Sequence, residues 1–231
     1  FNLSAMYFST NGATADWTIT GETNTLVAPA IVRIDTNNLF FTMTLAGNAG
    51  IQKIGQGTLK LTVANPLLSG PIQVLGGRLL IRADDNLGQV PASYQAGAIV
   101  LDTASFGNDD PTLTLAATRG VTLGAGGGYL FGRNGNAMVM ASPITGAGSL
   151  YVNMQTGYVV LGNTNNDYTG DTVIGASGPG YYNGVAATLQ LSADEVLSDG
   201  AGAGRLVIDG IQKGVLDLNG KTETVNSITG Y

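Results

Sequence analysis

Apolar residues along this chain come in short runs of about four to seven, each closed by Gly, Asn or Pro. Examples are DWTIT, AIVRI, LFFTMTL, TLKLTV, PIQVL, RLLIR, AIVLD, TLTLA, YVVLG, ATLQLS, RLVID and VLDLNG. Within them apolar positions alternate with Thr, Lys, Gln or Arg, the period-two pattern of a strand with one buried face. A helical reading fails almost everywhere, because Gly, Asn, Thr and Pro break each candidate window. The best helical patch, SADEVLSD at Ser192 to Asp199, predicts about two turns.

The runs also recur at long range. Laying LKLTVANPLLSGPIQV over VVLGNTNNDYTGDTVI puts Leu59 on Val159, Leu61 on Leu161, Asn65 on Asn165, Gly70 on Gly170 and Val74 on Ile174. Further on, Leu79 meets Leu189, Ile81 meets Leu191 and Asp84 meets Asp194, so the second copy carries about ten extra residues near 175–185, GASGPGYYNGV. Then Val100 falls on Val207 and Asp102 on Asp209. Two module copies follow, at about 25–98 and 120–205, within one continuous segment over 1–231. Strand signals every ~8 to 12 residues suit a sandwich or barrel as well as a solenoid. Long-range recurrence and the scarcity of two-residue hairpin turns favour a solenoid, whose corners absorb insertions.

In such a stack Leu59, Leu61, Val74, Leu79 and Ile81 are expected to point inward, with Lys60, Gln73, Leu80 and Arg82 facing out. At ~20 to 25 residues per coil the chain would form about ten coils and a rod roughly 45 to 50 Å long.

Composition narrows the function classes. The chain has 231 residues, 44% hydrophobic and only 11% charged, with 35 Gly, so its surface must be covered largely by Thr, Ser, Asn, Gln and Gly. A net charge of −6 without a basic run argues against nucleic acid. Without Cys there is no disulfide framework, and without His the commonest general base and metal ligand are missing. No window is long and apolar enough for a membrane helix, so membrane insertion by this segment is not expected. Beginning at Phe1, without Met, it reads as a piece of a longer or processed chain.

The phrases GQGTLKLTVANPLLSGPIQVLGGRLLIRADDNLG and GYVVLGNTNNDYTGDTVIG…AATLQLSADEVLSDG together resemble the autotransporter-associated β-strand repeat of passenger regions in large bacterial surface proteins. ATRGVTLGAGGG, SPITGAGSL and GVLDLNGKTETVNSITG are similar to its connecting phrases, and the resemblance runs from about Thr25 onward. Two departures stand in the first copy: Leu68 replaces the family aromatic, present as Tyr168 in the second, and Pro71 follows the glycine. The resemblance implies an all-β fold, a right-handed parallel β-helix forming a single elongated domain. It also implies an extracellular place at a bacterial cell surface.

Candidate sites are few. The acidic pairs Asp84–Asp85, Asp109–Asp110 and Asp194–Glu195 read as corners and a turn, because neighbouring residues on a strand face opposite sides and cannot form a catalytic pair. No catalytic residue and no metal ligand is assigned. Calcium is the cofactor that Asn163, Asn165, Asn166, Asp167 and Asp171 would suit, although no loop of established calcium spacing occurs. GAGGG at Gly124 to Gly128 lacks the lysine and the strand–loop–helix context of a phosphate loop. Trp17 alternates with Ile19, which predicts a core or end-cap role. Tyr181 and Tyr182, adjacent on the Gly-rich insertion, are the candidate binding residues for a surface glycan. Tyr168 and Asp171, not shared between the copies, are further positions where recognition is expected. The expected role is a non-catalytic structural or adhesive segment, a stalk or self-assembling fibre that associates with itself or with neighbouring repeats. The alternatives are a carbohydrate-binding module and a polysaccharide-degrading β-helix enzyme.

Overall fold

The computed structural model describes residues 5–8, 15–180 and 185–230. Among these the chain winds as a β-solenoid in which the strand pairings run parallel. One face is a seven-strand sheet from Ala5–Phe8 through Ile72–Val74 to Ile144–Gly146, and a second is a ten-strand sheet from Trp17–Ile19 to Ile228–Gly230. The third face begins as a three-strand sheet ending at Leu67–Leu68 and resumes as a five-strand sheet from Leu113–Leu115 to Gly214–Asp217. A short 3-10 helix, Asp84–Leu87, stands between the two. Ten strands in the second sheet mark about ten coils and a stack roughly 45 Å long.

Inward residues form ladders along the axis. In the ten-strand sheet Leu39, Leu59, Leu79, Phe106, Leu130, Val152 and Ile174 sit in register and are buried. Leu61, Val74 and Ile81 are buried too, as the alternation requires. Each fully buried Leu, Ile or Phe contributes about 1.5–3 kcal/mol, so the ladder outweighs any single polar contact. Trp17 stacks on Leu39 in the first described coil of this ladder, with Phe8 at a ring-centroid distance of 5.6 Å.

Corners carry the specific chemistry. Asn65 is buried; its Oδ1 accepts the Leu45 N–H at 2.6 Å from the preceding coil, and its Nδ2 donates to the Asn86 carbonyl at 2.5 Å in the following one. In the second copy this bracket belongs to Asn166, which accepts from Ile144 N–H at 2.7 Å and donates to Val196 O at 2.7 Å. The sequence match to Asn165 is therefore displaced by one: Asn165 is exposed and uses its backbone N–H on Asn163 Oδ1. Gly70 and Gly170 recur for a steric reason. A Cβ on Gly70 would lie 2.6 Å from Gly50 Cα, and one on Gly170 would lie 2.5 Å from the Gly148 carbonyl carbon. Glycine stacks on glycine where consecutive coils approach most closely.

The matched segments occupy different faces. Leu59–Leu61 lies in the ten-strand sheet, and Val159–Leu161 in the five-strand sheet. Ile72–Val74 lies in the seven-strand sheet, and the matching Thr172–Ile174 in the ten-strand sheet. The recurrence is thus rotated by one face about the axis.

Three local expectations change. LFFTMTL is two strands, Asn38–Phe41 and Leu45–Gly47, because the chain turns between them. Ser192 to Asp199 is not helical: Glu195 has φ 51°, and the Val196 and Leu197 N–H groups donate to the Glu223 carboxylate at 2.9 and 3.1 Å. Burial raises the pKa of that carboxyl. Tyr168 is a core residue instead of a recognition element, fully buried with its hydroxyl 2.6 Å from Thr172 Oγ1, and burial pushes its pKa up to about 12.

A charge also stands at an inward position among the described residues. Lys53 pairs with Val32 and Val74, is fully buried, and donates to the carbonyls of Gly55 at 2.5 Å and Gly76 at 2.7 Å. Burial, helped by Arg78 and opposed by Asp35, lowers its pKa from 10.5 to about 7. Below about pH 7 both folded and unfolded chains carry the proton, so the folded state bears the whole cost of the buried charge. Between about 7 and 10.5 the unfolded chain alone retains it, and stability rises with pH.

Removing that group is expected to flatten stability against pH: Lys53→Met should lose a slope of up to about 1.4 kcal/mol per pH unit across this window, read by chemical denaturation at pH 7, 8 and 9. Asn65→Ala leaves a buried N–H and a buried C=O unpaired and should cost about 2–4 kcal/mol, whereas Asn165→Ala should cost less than about 0.5 kcal/mol in the same assay.

Candidate functional site

Of the insertion expected at a corner, the described residues up to Gly180 lie back along the rod. The coil from Ile174 to Ile208 is the longest in the ten-strand ladder. After Gly175, at φ 108°, the chain crosses the outer face of that sheet. Gly178 N–H donates to Asn153 Oδ1 at 3.0 Å, and the Pro179 carbonyl accepts from Ser105 Oγ at 3.0 Å and Asn153 Nδ2 at 3.4 Å. The Gly180 carbonyl accepts from Arg78 Nη1 at 3.4 Å and from Gln155 Nε2. Partners from three coils thus hold Gly178 to Gly180 as a strap.

Glycine is required where the strap crosses Tyr129, because a Cβ on Gly178 would overlap that ring. Tyr129 stacks on Tyr151 with centroids 4.5 Å apart and planes 17° from parallel, and burial raises its pKa. On the same outer face Leu80 and Phe131 are buried, so Leu80 faces out as expected yet is covered. Gly107 lies between them in register, and a Cβ there would come within 2.5 Å of the Phe131 ring. Beside the strap an open groove of about 530 Å³ is lined by Gln155, Tyr158, Val185, Thr188 and Gln190 among others. Tyr181 and Tyr182, the candidate binding residues, lie outside the described residues.

The acidic pairs hold coils together. Asp84 receives the buried Arg119 at 3.0 Å, which also donates to the carbonyls of Leu87, Gly88 and Gln89. Asp85 accepts from Asn86 Nδ2. Asp109, expected as a turn residue, gathers Lys60 at 3.2 Å, Arg82 at 3.8 Å and Arg133 at 2.6 Å. Asp110 is the turn, at φ 61°, and accepts from Asn134. Asp194 accepts from Thr222 N–H, and Glu195 from Thr224.

Three of the residues weighed for calcium are committed to other partners. Asn163 donates to Ala141 O at 2.8 Å, Asn166 forms the inter-coil bracket, and Asp171 pairs with Arg205 at 3.0 Å, a bond that holds its pKa below the usual range. Among the described residues no group of three or more acidic side chains converges on a cation position.

Two features were not legible. The three cations on Asp109 come from residues 60, 82 and 133, which only the coil register brings together. Tyr94, about half exposed, sits in the second long coil, the twenty-seven residues from Leu79 to Phe106. That length, with an aromatic inside QVPASYQA, was the available signal.

A parallel solenoid with a strapped outer face and acids spent on bracing its coils defines the class: an elongated repeat protein of β-helix type. The chain is similar to the Adhesin BmaC autotransporter of Brucella suis biovar 1 (strain 1330), 32% identical over 192 residues, which is 83% of this chain. It spans 5% of that relative's length. Similarity and solenoid together are consistent with a passenger-type autotransporter segment. No family model matches the chain, and no solved structure matches it.

Gly178→Ala is expected to lift the strap from Tyr129. Limited proteolysis should cut faster within 175–185, while the melting temperature moves by no more than about 2–4 °C, because the strap lies outside the core.

Proposed function

We propose that this chain is a non-catalytic surface segment that extends an adhesive protein away from a bacterial cell as a stiff rod. The observation that carries the reading is the uninterrupted ten-strand parallel ladder, in which every coil is held by its neighbours. The adhesin similarity supports an extracellular place and an adhesive or structural role. Acids committed to bracing, such as Asp84 on Arg119 and Asp109 on three cations, support a role without catalysis.

The two ends support continuation of the rod. Met6, Phe8, Trp17 and Ile19 are half-buried at one end, and Val215, Leu218 and Ile228 are exposed at the other. Strand edges and apolar surface at such ends accept further coils of the same chain or a second copy. Further repeats and like copies are therefore the partners we assign to the ends.

Small-angle scattering and sedimentation of the segment with its native flanks test this reading. Expected is an elongated particle whose length grows with added coils at constant cross-section. A compact monomer of unchanged length would overturn it.

A further inference from the structure

We infer that the groove around Tyr94 is a binding site for an uncharged hexose of a surface glycan. The inference deepens the adhesive reading by giving it a contact point, but it rests on geometry of its own. The groove encloses about 440 Å³ and is lined by Tyr94, Ala117, Pro143, Thr145, Asn163, Asn165 and Asp167. These residues come from successive coils, at and just before the strands Gln95–Leu101, Arg119–Leu123 and Ile144–Gly146 and in the loop that follows Leu161 in the next coil, so the site exists only when the coils are stacked.

The platform is aromatic and fixed. Tyr94 lies over Gly120, where a Cβ would come within 2.8 Å of the Tyr94 ring. Glycine therefore lets the ring approach the backbone closely while 46% of the residue stays exposed. Burial of the phenol edge, with Asp167 nearby, raises its pKa, so the hydroxyl remains a donor through the physiological range. Pro143 and Ala117 extend the apolar floor. An aromatic floor of this kind suits the C–H face of a sugar ring.

The rim supplies hydrogen-bonding groups that the protein does not use. Among the described residues the Tyr94 hydroxyl, the Asn165 side-chain amide and the Asp167 carboxylate have no hydrogen-bond partner, although neighbouring Asn163 and Asn166 are fully engaged. Thr145 Oγ1 lies 3.3 Å from Thr122 Oγ1 and keeps capacity to accept or donate. A carboxylate, an amide and two hydroxyls around one aromatic face match the vicinal hydroxyls of a pyranose. Among the described lining residues Asp167 is the one charged group, so it favours neutral sugars and repels a carboxylated or sulfated one. Cationic partners are left to the test.

The full chain would be titrated with methyl-β-galactoside, methyl-β-glucoside, N-acetylglucosamine, glucosamine and, as the anionic arm, N-acetylneuraminic acid, with binding read by saturation-transfer NMR. Expected is millimolar binding of at least one uncharged sugar, with weaker or absent binding of the neuraminic acid. Tyr94→Ala should weaken that binding by about tenfold or more, and Asn165→Ala should weaken it without moving the melting temperature. Asp167→Asn should narrow the gap between the neutral and anionic sugars. No binding of any uncharged sugar, binding of only the anionic or only the cationic sugar, or neutral-sugar binding unchanged in both Tyr94→Ala and Asn165→Ala would overturn the inference. Rod dimensions measured on the same samples separate loss of the site from failure of the solenoid reading.

Discussion

Coil-on-coil pairing is the constraint from which the rest of this molecule follows. Each strand satisfies its backbone groups on the strands of the coils before and after it, and each inward side chain rests on its counterpart one coil away. Neither half of that arrangement stands alone. A single coil cannot bury Leu59 or Phe106 without neighbours, and the hydrogen bonds need the register that the apolar ladders impose. The inward face is therefore monotonous, and the corners and outer faces are where the sequence is free to vary.

What the corners do is fix the vertical register. Asn65 and Asn166 each reach one coil down and one coil up, and Glu223 continues the second bracket by accepting the N–H groups of Val196 and Leu197. Buried charge serves the same end: Arg119 on Asp84, and three cations on Asp109, tie residues far apart in sequence into adjacent coils. Lys53 is the exception, a charge facing the core and held by two glycine carbonyls. Its cost is carried by the apolar stack around it.

Much of this was legible in the sequence. Alternation gave the inward faces of Leu59–Leu61 and Leu79–Ile81, and recurrence of Gly70 as Gly170 marked two close approaches of backbone. Strands such as Ala104–Asn108 and Arg119–Leu123 were missed because Ser, Gly and Arg there do not alternate with apolar residues. The rotation of the repeat by one face was hidden because equal strand lengths say nothing of which face they occupy. An alignment in steps of a hundred residues could not separate Asn165 from Asn166, since the choice depends on which amide meets the Ile144 N–H one coil away. The strap was seen as an insertion but not as a fold-back, because its partners Arg78, Ser105 and Asn153 are recruited from other coils.

The function proposed above is one of reach and presentation. A rod of stacked coils places its outer faces in regular order, and the two coils of unusual length supply the strap and the Tyr94 groove. Native-state hydrogen exchange along the ten-strand ladder tests the stacking most directly. Expected is strong protection of the amides in Thr58–Leu61, Gly77–Ile81, Ala104–Asn108 and Gly128–Phe131, falling toward Trp17–Ile19 at one end and Ile228–Gly230 at the other. Faster exchange in Ala104–Asn108 than in those end strands would contradict a continuous stack.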